Sequence, residues 1–347
     1  MTSPDAAIVT ALARLRDAGP PLNLAQLNQR VADIAAALMV PESRVRQLLG
    51  AAIIAQLLPS GTSIKGGMGL KMRLGERGTR ATRDLDVAAA DQAKVAALLA
   101  ERLAKGWGSV PALRRELQKD PAAPNRPAFI GKVHDQRKAT PTGVPPEYVL
   151  TPYRVSLSFL SAKYPFVSVP SEIGVDEFNC SQLAPGHDSV APQIVAACEA
   201  LGCGTPGPVT LISWEQQIAQ KIHAVTDPTQ LRGHDLVDLQ LLWHEAQDDP
   251  SFDITVLHQL CQRTFEFRAP SRVKAGKHPH PWPPLVADLT HLALGYETAR
   301  EEVTATSATS DDLLTKDIDT AAHWLADIIE TIRTSPSDPA PGRKGRP

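Results

Sequence analysis

The sequence predicts an α+β protein in which a small strand-containing core lies between helical segments. Three observations indicate this class: helical spacing of apolar residues over 1–58, strand-like alternation over 83–88 and 153–169, and helical periodicity after 206. Clusters of proline and glycine mark the boundaries between these parts. The predicted parts are N-terminal helices (1–58), an α+β core (59–205), a helical C-terminal domain (206–334) and a disordered tail (335–347).

Composition and charge exclude several classes of protein. The net charge of −2 argues against a bulk electrostatic grip on nucleic acid, and the two locally basic stretches, 102–115 and 263–277, are interpreted as solvated surface. None of the four cysteines forms a CxxC pair, which indicates free thiols in a reducing compartment. No signal peptide and no run of 18 apolar residues is present, so we expect a cytoplasmic protein without a membrane partner.

Residues 31–49 have the spacing of a helix-turn-helix, which makes a DNA-binding protein one hypothesis. The segment offers no evident basic recognition face. A pair of packing helices is therefore the favoured interpretation.

Two aspartates in a strand-like segment are the first candidates for chemistry. Asp84 and Asp86 are two residues apart, so in a strand both carboxylates point to the same face. A hard divalent cation such as Mg²⁺ favours this arrangement of oxygens, and such a site can clamp a phosphoryl or nucleotidyl transfer. The alternative is a solvated strand edge, because the DxD pattern is short and common.

Upstream of these aspartates, Lys65, Gly66 and Gly67 stand between a strand-like segment and a helix. Two glycines let backbone N–H groups approach a phosphate, and the start of a helix adds positive potential. The alternative is a tight turn that needs a positive φ. No Walker or GxGxxG motif is present.

A third carboxylate is expected from a later strand. Glu172 is the candidate, either as a further metal ligand or as the general base for an attacking hydroxyl, and Asp176 competes with it. A surface glutamate at the end of the sheet is an equally good interpretation.

A helical hairpin in the C-terminal half carries further charge. Asp235 and Asp238 share a face of one predicted helix, and the hairpin brings Lys221 of the preceding helix near them. Lys221 is a candidate for neutralising phosphate charge, and an interhelical salt bridge is the alternative. The His278-Pro279-His280 segment lacks acidic or cysteine partners and is interpreted as a loop.

Taken together, these motifs resemble a known family. Their order is Lys65-Gly66-Gly67, then Arg80-x-Thr82-x-Asp84-Leu85-Asp86, then Lys221-x-His223-Ala224, then Arg232-x-x-Asp235-x-x-Asp238. This order is similar to that of the AbiEii-type nucleotidyltransferases. These are toxins of toxin–antitoxin systems classified as type IV and of phage abortive infection, and they include the mycobacterial MenT toxins.

The resemblance implies a polymerase-β-like nucleotidyltransferase core with a helical C-terminal domain, Mg²⁺, and a nucleoside triphosphate (NTP) as substrate. It also implies an RNA acceptor such as tRNA, or a protein acceptor, and a winged-helix antitoxin as partner. Residue by residue, it assigns phosphate binding to Lys65, Gly66, Gly67, Arg80 and Thr82, metal binding to Asp84 and Asp86, triphosphate binding to Lys221, and completion of the site to Asp235 or Asp238.

Two features depart from the family pattern. Met68 stands where the family commonly has a hydroxyl residue, and residues 106–150 look like an insertion. A nucleotide-binding regulatory protein without catalysis is the alternative function.

Overall fold

The computed structural model describes residues 4–135, 151–179, 190–286, 289–307 and 311–335. They form two compact units, one ending at Ile212 and the other starting at Ser213. The predicted disordered tail lies outside the described residues, apart from Ser335.

The first unit alternates helices and strands. Its helices are α1 (Pro4–Asp17), α2 (Leu24–Leu38), α3 (Glu42–Leu57), α4 (Gly66–Leu74), α5 (Gln92–Lys105), α6 (Arg114–Leu117) and α7 (Pro192–Ala200). Its strands are β1 (Thr62–Lys65), β2 (Leu85–Ala89), β3 (Val110–Pro111), β4 (Asn125–Arg126), β5 (Phe129–Asp135), β6 (Thr151–Phe159) and β7 (Val167–Val175).

Five of these strands form one mixed sheet in the order β1-β2-β7-β6-β5. The β2–β7 pair is parallel, and the other three pairs are antiparallel. Strands β3 and β4 form a separate two-stranded ribbon. In the main sheet, β2 therefore has β1 on one side and β7 on the other.

The two faces of the main sheet differ in burial. Along β7, Val167, Val169 and Ile173 are buried, whereas the alternate residues Ser168 and Glu172 are half-buried. Helix α3 covers the buried face closely, since a Cβ on its Gly50 would lie 2.6 Å from Val167 Cγ1. Glu172 therefore lies on the opposite, more open face.

Part of the predicted insertion belongs to the sheet. Phe129–Asp135 is the edge strand β5, which pairs antiparallel with β6 over its whole length. The sequence did not predict this strand, and the interpretation of 106–150 as an insertion relative to the family stays a prediction. The strand pattern was weak because Gly131 interrupts it, and this glycine is needed because a Cβ there would lie 2.6 Å from Leu103 Cδ2.

The helix-turn-helix interpretation is not supported by α2 and α3. The connection between them is short, but α3 is buried from Leu48 through Ala55. A recognition helix must expose a face to enter a DNA groove. The structure therefore favours a pair of packing helices, as we expected.

Among its described residues, the second unit contains helices and connecting loops and no β-strand. Its helices are α8 (Trp214–Val225), α9 (Gly233–Asp248), α10 (Ile254–Lys274), α11 (Ala293–Thr304) and α12 (Ile318–Thr334). Helices α9 and α11 approach closely at Gly233, where a Cβ would lie 2.3 Å from the carbonyl oxygen of Leu292. Helix α12 is amphipathic and buries Ala321, Leu325 and Ile329.

Each described helix is too short or too polar to span a lipid bilayer. The three cysteines within the described residues, Cys198, Cys203 and Cys261, are free and buried. Burial raises the pKa of the Cys198 and Cys203 thiols to about 12. These thiols are therefore poor nucleophiles at neutral pH.

Candidate active site

A glycine turn connects β1 to α4. Strand β1 ends at Lys65, and α4 begins at Gly66, which has a φ of +65°. This left-handed conformation favours glycine, so the alternative interpretation, a tight turn that needs a positive φ, applies at Gly66. The start of α4 carries positive potential from the helix dipole, as the phosphate-binding interpretation also requires.

The carboxylate of Asp86 lies directly against this turn. A Cβ on Gly66 would be only 2.1 Å from Asp86 Oδ2, a distance that no real side chain tolerates. Gly66 is thus required twice, for its conformation and for the approach of Asp86.

Sheet register brings three charged residues into one row. Lys65 of β1 is the Cα partner of Asp86 in β2, and Asp86 is in turn the Cα partner of Glu172 in β7. Residues opposite each other in neighbouring strands point to the same face. The expectation that Glu172 stands on the strand next to the aspartates is therefore confirmed, and its role stays a prediction.

Asp84 is placed differently from the prediction. Strand β2 begins at Leu85, so Asp84 lies one residue before the strand and is exposed, whereas Asp86 lies within it and is half-buried. The competing carboxylate, Asp176, follows β7 and is buried, and its N–H donates to Ala89 O at 3.1 Å.

Arg80 and Thr82 lie against the second glycine of the turn. A Cβ on Gly67 would be 3.0 Å from both Arg80 Nη2 and Thr82 Oγ1. The absent side chain of Gly67 thus makes room for a cation and a hydroxyl. The structure brings together Gly66, Gly67, Arg80, Thr82 and Asp86, as the family resemblance implies, and their role in binding phosphate stays a prediction.

The residues of this site fit a Mg²⁺ ion that is held by few protein ligands. Within the described parts of the chain, no group of three or more His, Cys, Asp or Glu side chains is arranged to hold a metal ion. Mg²⁺ is commonly held by one or two carboxylates, with water and substrate phosphates as the remaining ligands. Asp86 supplies one such carboxylate beside the glycine turn, and the role of Asp84 as a second metal ligand stays a prediction.

In the second unit, Lys221 forms the interhelical ion pairs that were the alternative to a role in phosphate binding. Its Nζ donates to Asp235 Oδ1 at 2.7 Å and to Asp238 Oδ2 at 2.8 Å, and all three residues are buried. The proximity predicted from the helical hairpin is confirmed. The roles that the resemblance assigns to these residues in nucleotide transfer stay predictions.

Sequence reasoning missed a buried histidine pair in the same unit. The rings of His223 and His280 lie 4.9 Å apart between centroids, and Arg268 Nη1 lies 3.3 Å from His223 Nδ1. Burial, followed by the charge of Arg268, lowers the pKa of His223 to about 2. His278-Pro279-His280 is a loop as predicted, but His280 is buried.

This pair predicts a dependence of stability on pH. Below pH 6.5 the unfolded chain protonates His223 while the folded chain does not. The free energy of unfolding therefore decreases by about 1.4 kcal/mol for each unit by which the pH is lowered. Burial also lowers the pKa of His280, which adds in the same direction. Urea unfolding at pH 7 and pH 5 should show a smaller loss for His223→Gln than for the wild type. Equal losses would contradict the assignment.

The sequence of this chain matches the family described as "Nucleotidyl transferase AbiEii toxin, Type IV TA system" over residues 47–337. The chain belongs to the AbiEii family. It is therefore a nucleotidyltransferase of a toxin family, and its predicted α+β fold class with a helical C-terminal part is confirmed.

Solved structures similar to this AbiEii chain include proteins from Mycobacterium tuberculosis and Helicobacter pylori. "MenT4, nucleotidyltransferase toxin Rv2826c from Mycobacterium tuberculosis H37Rv" is 19% identical, with 90% of this chain and 100% of that chain covered, at a TM-score of 0.40. A Helicobacter pylori protein, JHP933, is 15% identical, with 81% and 94% covered, at a TM-score of 0.34. A putative nucleotidyltransferase from H. pylori is also 15% identical, with 83% and 96% covered, at 0.36. Among curated proteins, none matches the sequence.

Proposed function

We propose that this AbiEii enzyme transfers a nucleotide from an NTP to an RNA acceptor such as tRNA, in a Mg²⁺-dependent reaction at the glycine turn. The observation that carries the proposal is the position of the Asp86 carboxylate, which lies against Gly66 and in register with Lys65 and Glu172. Carboxylates, a cation and a helix start within one small site suit a triphosphate and its metal ion.

The proposed reaction breaks one bond and forms one. A hydroxyl oxygen of the acceptor attacks the α-phosphorus of the NTP, and the bond from that phosphorus to the bridging oxygen of the β-phosphate breaks. Pyrophosphate leaves, and the nucleoside monophosphate becomes attached to the acceptor. The hydroxyl proton passes to a base, for which Glu172 is the candidate on the strand beside Asp86.

The residues of the site divide this work. Asp84 and Asp86 would hold Mg²⁺, which supplies charge neutralisation for the triphosphate. Lys65 and Arg80 would add positive charge, and the N–H groups at Gly66 and Gly67 would donate to phosphate oxygens. Met68 offers no hydroxyl at a position where the family commonly has one, so these backbone donors carry more of the binding.

The acceptor and partner are also proposals. A protein acceptor is the alternative to RNA, and the AbiEii family name supports a toxin paired with an antitoxin. A winged-helix antitoxin and a cytoplasmic location complete the proposed setting.

Label transfer tests this function. The purified protein is incubated with each of the four α-³²P-labelled NTPs, Mg²⁺, and either total tRNA or a protein extract, with and without EDTA. We expect label in the tRNA with at least one NTP, and none with EDTA. Label in protein alone would move the proposal to a protein acceptor. Nucleotide binding without transfer to either acceptor would contradict it.

A further inference from the structure

A buried cluster of charged side chains holds the loop that leads into the active-site segment. The loop, residues 75–79, connects α4 to Arg80. Glu76 is fully buried, and its Oε1 accepts from Arg44 Nε at 2.6 Å while its Oε2 accepts from Lys71 Nζ at 2.7 Å. One carboxylate thus connects α3 and α4 through the loop.

The same loop is fixed through its backbone. Arg44 Nη2 donates to Glu76 O at 3.2 Å and to Thr79 O at 2.8 Å. From α7, Gln193 Oε1 accepts from the N–H groups of Glu76 and Arg77, both at 3.1 Å. These hydrogen bonds fix the backbone conformation of the loop up to Thr79, the residue before Arg80.

Stability alone does not explain a charged cluster at this place. Burial lowers the pKa of Lys71 to about 8 in spite of the opposing effect of Glu76, so the environment penalises the lysine charge. Apolar side chains of the same volume often stabilise a buried position equally well or better. Charged groups form directional hydrogen bonds, which apolar side chains cannot form. In this cluster, one such bond is from Arg44 Nη2 to Thr79 O, next to Arg80.

We propose that Glu76 is a positioning residue for nucleotide binding. By fixing the loop at 75–79, it sets where Arg80 and Thr82 lie against Gly67, where each is 3.0 Å from the position of an added Cβ. This inference rests on the proposed function, since Arg80 adds positive charge for the triphosphate there.

Glu76→Gln tests the proposal because it keeps the volume and loses the charge. Amide hydrogen exchange is expected to become faster over residues 75–84, while the rest of the first unit keeps its rates. The Kd for NTP, titrated with ATP, GTP, CTP and UTP in Mg²⁺, is expected to rise about tenfold. Gln193→Ala removes the α7 contact without changing charge and should give the same two effects if Glu76→Gln folds poorly.

Leu103→Ala is the matched control for lost stability. Leu103 is fully buried and packs on β5, at the edge of the sheet opposite to β1. The Leu103→Ala variant should lower the melting temperature at least as much as Glu76→Gln does. It should change neither the Kd for NTP nor the amide exchange rates over 75–84. Wild-type exchange over 75–84 in both Glu76→Gln and Gln193→Ala would overturn the inference. If the wild type binds no NTP, the proposed function fails, and the exchange rates still decide whether Glu76 fixes the loop.

Discussion

Asp86→Asn is expected to reduce nucleotide transfer by at least about a thousandfold while the protein stays folded. The amide keeps the shape of the carboxylate, so its packing against Gly66 is retained. It loses the negative charge that a divalent cation requires at a site with no third clustered ligand among the described residues. The measurement is the initial rate of label transfer at saturating Mg²⁺.

Asp91→Asn is the matched control for this variant. Asp91 follows β2 closely and caps α5, where its carboxylate accepts from Lys94 N at 2.9 Å. Asparagine caps helices about as well as aspartate, so transfer should equal that of the wild type. If Asp86→Asn retains more than a tenth of the wild-type rate, Asp86 does not hold the metal ion.

Gly66→Ala is expected to reduce transfer about a hundredfold, because the new Cβ displaces the carboxylate of Asp86. The Cβ would lie 2.1 Å from Oδ2, so the carboxylate must move by about 1 Å, and shifts of that size cost about this much in rate. The positive φ adds strain of about 1–2 kcal/mol to the folded state.

Gly61→Ala separates these two effects. Gly61 has a φ of +79° just before β1, and a Cβ there meets nothing within 4 Å. This variant should lose a similar amount of stability in urea unfolding and keep the wild-type rate of transfer. If the two alanine variants transfer equally well, contact with Asp86 is not what requires glycine at position 66.

The sequence predicted those parts of the site that depend on neighbours along the chain. Two glycines between a strand and a helix predicted the turn at Gly66, and helical spacing predicted that Lys221 lies near Asp235 or Asp238. Each of these rests on local periodicity or on the conformational freedom of glycine. The family resemblance added Arg80 and Thr82, which the structure brings to Gly67.

The parts that the sequence did not predict depend on distant contacts. Glu76 meets Arg44, which is 32 residues away, and its N–H meets Gln193, which is 117 residues away. No local pattern distinguishes such a buried glutamate from a solvated one. The edge strand β5 was missed for a related reason, because its pairing with β6 and its packing under Leu103 define it more than its own residues do.

The position of the transferred phosphorus tests the central claim most directly. The wild-type protein is given the same NTP labelled either at the α-phosphate or at the γ-phosphate, and the acceptor and pyrophosphate are separated and counted. Nucleotide transfer predicts α-label in the acceptor and γ-label in pyrophosphate. Recovery of γ-label in the acceptor would show phosphate transfer instead and would contradict the account of this site.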